Sequence, residues 1–424
     1  MAKLPQIITG LQIKIEKLVP GGQGIGAAIE ASSVELEGFV GKKGFFWNVL
    51  PGEIVTKFEI TKNKSKYFEA IALEVENHSA HRILPKDNVY LSTSPWQMMD
   101  YDLELAQKSE LLGEIFRQAG LDSRLFETST ANNGARMLPV LTDNYDFCYR
   151  NKMEYALYWD NETERIRLAF HARGSHRKVP VEKSSIERPE IFEAAQKIVA
   201  DLNSRHEEAR KYQSLLLRAN QKGEISGGLF ENGKPHPKFM NLTDEILGEE
   251  YSYSPNGFFQ INLPVYEMAL QEIKKYIQTE KVLDLYAGVG TIGLSVARDK
   301  KLTLVENNKS AYKELLENCK ALQEKSPLSS INATPMLANS EDALDYIEQE
   351  QTVIVDPPRA GCDKRLIERL LKVRPRTVIY LSCNPTTQAR DLKILTEAYE
   401  IVGIIPYNFF PRTPHLENLV ILRV

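Results

Sequence analysis

The sequence predicts an α/β protein: a C-terminal open parallel sheet, headed by a small N-terminal β-barrel and a central α+β region. Three observations carry this. The runs 282–286, 353–355 and 377–380 are short and apolar, each is stopped by Gly, Pro or a polar residue, and helix-period sequence separates them. That alternation marks βαβ units and a parallel sheet. Five β-rich runs also crowd the first 77 residues, at the spacing of a small barrel. The stretch 78–250 mixes hairpin and helix signals, giving divisions at 1–77, 78–250 and 251–424.

In the barrel the predicted strands are 11–15, 26–29, 37–40, 53–60 and 67–72, separated by turn clusters at 20–24 and 50–53. The Gly-rich turn at 20–24 is followed by no helix, so it does not read as a phosphate cradle. Lys42, Lys43, Lys57, Lys62, Lys64 and Lys66 form a cationic set whose ordinary role is a solvated surface. In the central region, 100–119 has helical periodicity. The runs 149–157 and 165–170 flank Asp160, Asn161 and Glu162, a hairpin signal. A basic stretch follows at 171–178, then a predicted helix over 191–212 and a strand over 212–218.

The chemistry gathers at the strand tips of the C-terminal region. Parallel strands end on one side of their sheet, where open α/β folds bind ligands. Gly288, Gly290 and Gly293 make a GxGxxG loop after the first run, and Glu306 closes the next strand. This Rossmann-like layout serves nicotinamide and S-adenosylmethionine enzymes alike. Asp284 and Asp356 add carboxylates that suit a cationic sulfonium, and the loop 287–293 has no cation for a diphosphate. Cys383 stands after the third run, stopped by Asn384 and Pro385. A thiol there is sited as a nucleophile, provided its surroundings lower its pKa from about 8.5. A lone cysteine more often fills a strand end as a small apolar residue.

Taken in order, the pieces resemble the RNA uracil-5-methyltransferases, which make 5-methyluridine in ribosomal and transfer RNA. They are Ser254 to Asn262 with Phe258, Phe259 and Gln260; Asp284 to Gly290; Glu306; Asn339; Asp356, Pro357, Pro358 and Arg359; Ser382 to Pro385; and Thr413 to Glu417. The resemblance implies a class I methyltransferase fold, with Gln260, Tyr286, Gly288, Gly290, Glu306, Asn339 and Asp356 lining the cofactor and reaction centre. It implies S-adenosylmethionine as cofactor, Cys383 as nucleophile and Glu417 as base. The head resembles the OB-like TRAM barrel that binds RNA, and with the wording of 258–262 it points to the ribosomal branch, 23S RNA above all; transfer RNA stays open. The equivalent of the 100–119 helix packs on the catalytic part in this family. Basic strands beside the cleft mark the expected RNA path.

Uracil chemistry requires such a pair. C5 of uracil is a poor nucleophile until a thiolate adds to C6, and the C5 proton must then be removed by a base before the thiol can leave. Glu417 precedes the run 419–422, expected to be an edge strand of the same sheet. An amino-methyltransferase would also use Asp-Pro-Pro, but it wants an aromatic ring where Arg359 stands and leaves Cys383 unexplained. A nicotinamide enzyme and a catalytically idle RNA-binding protein are the other readings, and neither employs Cys383 with Glu417.

Composition bounds the rest. The 424 residues are 42% hydrophobic, enough for two or three domains. A net charge of −4 places any RNA-binding surface locally rather than globally. No run is long enough to span a membrane and 1–10 lacks the apolar core of a signal peptide, so a monomeric cytoplasmic enzyme is expected. The four cysteines, Cys148, Cys319, Cys362 and Cys383, show no paired pattern. Many relatives hold an iron–sulfur cluster on four cysteines. Here the corresponding stretches, 91–94 and 183–186, contain none, and Cys148 is expected to be a packing residue. No metal site and no iron–sulfur cluster are expected. His78 and His81 read as an ordinary polar pair.

Overall fold

A computed structural model of the chain describes residues 6–31, 38–122, 137–325 and 332–424. Its class is the α/β arrangement expected, with a five-stranded barrel at the head. The barrel strands are β1 (Gln6–Leu18), β2 (Gly24–Ala31), β3 (Lys43–Trp47), β4 (Ile54–Asn63) and β5 (Tyr67–Glu76), closed in the order β1-β2-β3-β5-β4. In β1, buried Leu11, Ile13 and Ile15 alternate with exposed Gln12 and Lys14, the period of a half-buried strand. Phe46, Phe58 and Phe68 fill the interior with ring centroids 5.3–5.7 Å apart.

One expected strand is misplaced. The third lies at Lys43–Trp47, not at 37–40; Glu37 falls outside the described residues. Phe39 instead caps the barrel core edge-on to Phe68, and Gly41 turns the chain at φ 81° before β3 begins.

The middle of the chain holds α1 (Tyr90–Thr93), α2 (Tyr101–Gln118), β6 (Lys152–Asp160), β7 (Arg165–His171), β8 (Lys178–Pro180), α3 (Pro189–Ser204), β9 (Ser214–Ala219), β10 (Ile225–Glu231) and β11 (Lys234–His236). These six strands form one sheet, β11-β10-β9-β6-β7-β8. Helix α3 buries Ile191, Ala195, Val199 and Leu202, a stripe at helical spacing. It ends at Ser204 rather than 212. Asn203 turns its side chain onto both the N–H and the C=O of Ile166, at 2.8 and 3.0 Å, which ties the helix end to β7. Beyond it the apolar stripe is gone. Cys148 is exposed, not packed, because it sits on a left-handed turn (φ 56°) whose backbone alone is tied down, to Ser185. His81 pairs with Asp100 at 2.7 Å.

A small hairpin, β12 (Leu242–Ile246) and β13 (Glu249–Tyr253), leads into the last region. There follow α4 (Leu263–Lys275), β14 (Lys281–Leu285), α5 (Thr291–Val296), β15 (Lys301–Glu306), α6 (Lys309–Lys325), β16 (Ala333–Leu337), β17 (Gln351–Val355), α7 (Lys364–Val373), β18 (Thr377–Ser382), α8 (Pro385–Leu395), β19 (Glu400–Tyr407) and β20 (Glu417–Arg423). The sheet runs β16-β15-β14-β17-β18-β20-β19, parallel as far as β18. The expected edge strand is therefore interior. β20 slots antiparallel between β18 and β19, and β19 takes the edge. The loop 408–416 carries the chain back across the end of the sheet to make this possible.

Both faces of the sheet are covered, so its strands read as unbroken apolar runs. Ile354, Ile379, Leu381, Leu419 and Ile421 face one core; Val353, Val355, Val378, Tyr380, Val420 and Leu422 face the other. Leu112 and Phe116 of α2 join the second core beside Leu392 and Leu395 of α8, so this helix packs on the C-terminal region.

Candidate active site

Strand register alone gathers most of the predicted residues. Leu285 lies opposite Val305 on one side and Val355 on the other. Tyr286 follows β14, and Glu306 and Asp356 stand at the carboxyl ends of β15 and β17. Ser382 pairs with Asn418 across β18 and β20. Cys383 follows Ser382 and Glu417 precedes Asn418, and the Glu417 carboxylate is near enough to act on the Cys383 thiol. Cys383 is half-buried and Glu417 buried.

The glycine loop is shaped for close approach. Tyr286, Gly288 and Gly290 all take positive φ, at 66°, 58° and 92°. A Cβ on Gly290 would meet Leu315 at 2.5 Å and Leu294 at 2.7 Å, so packing demands glycine there. A Cβ on Gly288 would meet nothing within 4 Å, so its backbone borders open space. Glu306 accepts Gly288 N–H at 2.8 Å and Asn308 N–H at 2.6 Å, which fixes its carboxylate beside the loop. Asp284 accepts Gly293 N–H at 2.9 Å through one oxygen; its other oxygen is buried without a partner. An orphaned acceptor among carboxylates fits a cationic ligand group.

Two predicted residues lie further out. Asn339 sits exposed on the rim after β16; its side chain donates to Asp342 at 2.7 Å and accepts from Asn307 at 3.4 Å. Gln260 is buried, and the central sheet holds its loop: its carbonyl accepts from Asn151 at 3.0 Å and Arg218 at 3.2 Å.

The electrostatics differ from the sequence expectation in one respect. The Cys383 thiol is pushed up to about 11, by desolvation first and then by the Glu417 and Asp356 carboxylates, with Arg359 opposing. It was expected to need a lowered pKa; two carboxylates outweigh one exposed guanidinium. Desolvation raises Asp356 to about 7. Glu417 is raised well above the usual range by burial and by Asp356, with Arg359 opposing. Burial, Asp356 and Glu306 raise Asp284 to about 8.

A cavity of about 340 Å³ opens at Cys383, lined also by Arg359, Asn384, Lys108, His415 and the barrel turn at Pro20 and Gly21. Burial and the Arg359 and Lys108 charges push His415 down to about 4, leaving it neutral. Sequence reading gave Lys108 no role, since a lysine on an amphipathic helix looks solvated. Arg359 was noted as the end of the Asp356–Arg359 piece and as a departure from the amino-methyltransferase motif, without a role of its own. A larger groove, about 1030 Å³ between β7 and α3, holds none of the predicted residues.

The stretches inspected for cluster ligands hold a hydrogen-bonded polar knot instead. Asp87 accepts from Ser185 Oγ at 2.6 Å, Ser185 N–H at 2.9 Å and Gln97 Nε2 at 2.8 Å, and Gln97 also reaches Ser94. These oxygen and amide groups do not fit an iron–sulfur cluster, which takes thiolates.

Residues 239–424 match the tRNA (uracil-5-)-methyltransferase family. Similar proteins over nearly the whole chain include an "Uncharacterized RNA methyltransferase" of Enterococcus faecalis, 28% identical over 89% of this chain and 92% of the relative. One of the same description from Bacillus cereus is 26% identical over 96% and 95%. Among solved structures, the Pyrococcus abyssi tRNA (uracil-54, C5)-methyltransferase, in complex with S-adenosyl-L-homocysteine, superposes with a TM-score of 0.71 at 21% identity. It covers 97% of this chain and 99% of its own, so the fold is shared from barrel to C-terminal sheet. Residues 239–424 thus carry the likeness to the tRNA (uracil-5-)-methyltransferase family, and the relatives similar over nearly the whole chain are described as RNA methyltransferases.

Proposed function

We propose that the protein methylates C5 of a specific uridine of 23S ribosomal RNA through a covalent bond between Cys383 and C6. The observation that carries this is the placing of Cys383 and Glu417 just beyond the last β18–β20 pair, Ser382 and Asn418, with the Glu417 carboxylate acting on the Cys383 thiol. Cys383 lines the cavity together with Arg359 and Leu416, and Glu417 is buried directly after Leu416. Cys383 gives its proton to solvent through the open cavity, its sulfur bonds to C6 with the freed electron pair, and the C5–C6 π pair shifts to make C5 an enolate carbon. S-adenosylmethionine, when bound, supplies the methyl group that C5 accepts. Glu417 then takes the C5 proton, that C–H electron pair restores the C5–C6 double bond, and the sulfur leaves. Glu417 must be ionised for this step, and Arg359 is the cation that favours its ionised form.

The residues suited to the cofactor are Gly288 and Gly290 for backbone approach and Glu306 for the ribose hydroxyls. Asp284, Asp356, Tyr286, Gln260 and Asn339 border the rest. Residues 1–77 act as a TRAM-like RNA-binding head and 78–250 as a second RNA-binding region, beside the catalytic part at 251–424. The enzyme works in the cytoplasm as a monomer. The target uridine must leave its stack for C6 to be reached. Transfer RNA is the second reading, favoured by the full-length likeness in fold to the Pyrococcus abyssi enzyme. Mass-spectrometric mapping of 5-methyluridine in RNA from a deletion strain separates the two. Loss of one 5-methyluridine from 23S RNA supports the proposal; loss from transfer RNA alone supports the second reading.

A further inference from the structure

The segment that delivers Glu417 is held mainly from outside the sheet it belongs to. Between Tyr407, the end of β19, and Glu417, the start of β20, the chain has no regular structure. Arg412 within it takes a left-handed conformation, φ 63°, unfavourable for a residue with a Cβ. Strain of this kind persists only where the surroundings over-determine it.

Those surroundings come from the middle of the chain. Glu104 of α2, fully buried, accepts Arg412 N–H with both oxygens at 3.0 Å and Asn408 Nδ2 at 3.1 Å. Lys108, one turn on and also buried, donates to Asn408 Oδ1 at 2.6 Å and to Phe410 C=O at 3.1 Å, and pairs with Glu104 at 2.9 Å. The Arg412 guanidinium reaches Met99 C=O at 2.6 Å and pairs with Asp146. Trp96 N–H binds Arg412 C=O at 3.0 Å, and Tyr149 OH binds Pro411 C=O at 3.0 Å. Burying a glutamate and a lysine at one helix turn is costly unless their hydrogen bonds are met. Here each is met by the one loop that leads to the base.

We propose that Glu104 and Lys108 are positioning residues for proton removal: they clamp 408–412 and thereby set Glu417 beside Cys383. This rests on the reading of Glu417 as the base. A base displaced by a fraction of an ångström slows its own step without touching sulfur addition or cofactor binding. A clamp that served folding alone would slow every step together.

The test uses the full chain with RNA carrying uridine or 5-fluorouridine at the mapped site. Glu104→Gln is expected to bind S-adenosylhomocysteine and form the fluorouridine adduct as the unaltered protein does. Its turnover on uridine RNA should fall on the order of ten- to hundredfold. Methylated RNA still bound to protein should accumulate on a denaturing gel, the outcome also expected of Glu417→Gln, which removes the base itself. Tyr149→Phe, which removes only the bond to Pro411, should show the same species to a lesser extent and carries the test if Glu104→Gln does not fold. Normal turnover in both folded variants overturns the clamp. So does equal slowing of adduct formation and release. If the unaltered protein forms no adduct at all, the covalent reading beneath the clamp fails instead.

Discussion

Asp284 shows most directly what the site costs the fold. Its carboxyl is pushed up to about 8, while an aspartate in the unfolded chain titrates near 3.9. Between those values the folded protein holds a proton that the unfolded chain has lost. Stability is therefore greatest below about pH 4 as far as this group is concerned, and it is lost progressively as pH rises towards 8. Asp284→Asn keeps an oxygen for Gly293 N–H and removes the titration. It should raise the denaturation midpoint at pH 8 by a few kcal/mol in stability and by much less at pH 5, read from urea curves at the two pH values. An unchanged difference between the two would mean that Asp284 titrates normally in the fold. The sequence identified Asp284 as a crevice carboxylate but not its cost, because the unpartnered oxygen and the neighbouring Asp356 and Glu306 arise only from strand register.

Elements were legible where a local period decides them. The α3 stripe and the β6–β7 hairpin follow from spacing and turn residues. The third barrel strand was misread because Phe39 is apolar for another reason, capping a core rather than continuing a ladder. β20 was misread because an all-apolar run looks the same at an edge as in the interior; only the β19 pairing tells them apart. At Gly290 the structure supplies a demand that the sequence reading did not name, packing against Leu315 and Leu294. Gly290→Ala would place a Cβ 2.5 Å from Leu315 on a backbone at φ 92°. Left-handed strain and overpacking together should cost about 2–5 kcal/mol, measured by chemical denaturation, with loss of cofactor binding by calorimetry. Near-native stability in that variant would show that the loop can shift aside.

At the scale of the whole molecule, the barrel turn, helix α2 and the C-terminal sheet meet around one cavity. Gly22 packs so tightly on Pro414 that a Cβ there would lie 2.3 Å from the proline ring, and Trp96 donates its indole N–H to Gly22 C=O at 3.0 Å. Ordered motifs from 254 to 417 made the family likeness legible. The contribution of α2, some three hundred residues before the loop it grips, has no local signature. The account's central claim is that Cys383 attacks C6 of a uridine set in that cavity. RNA carrying 5-fluorouridine at the target tests it most directly, because the C5 fluorine cannot leave as a proton does. With S-adenosylmethionine present, the unaltered protein should form a complex with this RNA that survives denaturing electrophoresis, and Cys383→Ala should form none and methylate nothing. Full methylation activity in Cys383→Ala would contradict the account.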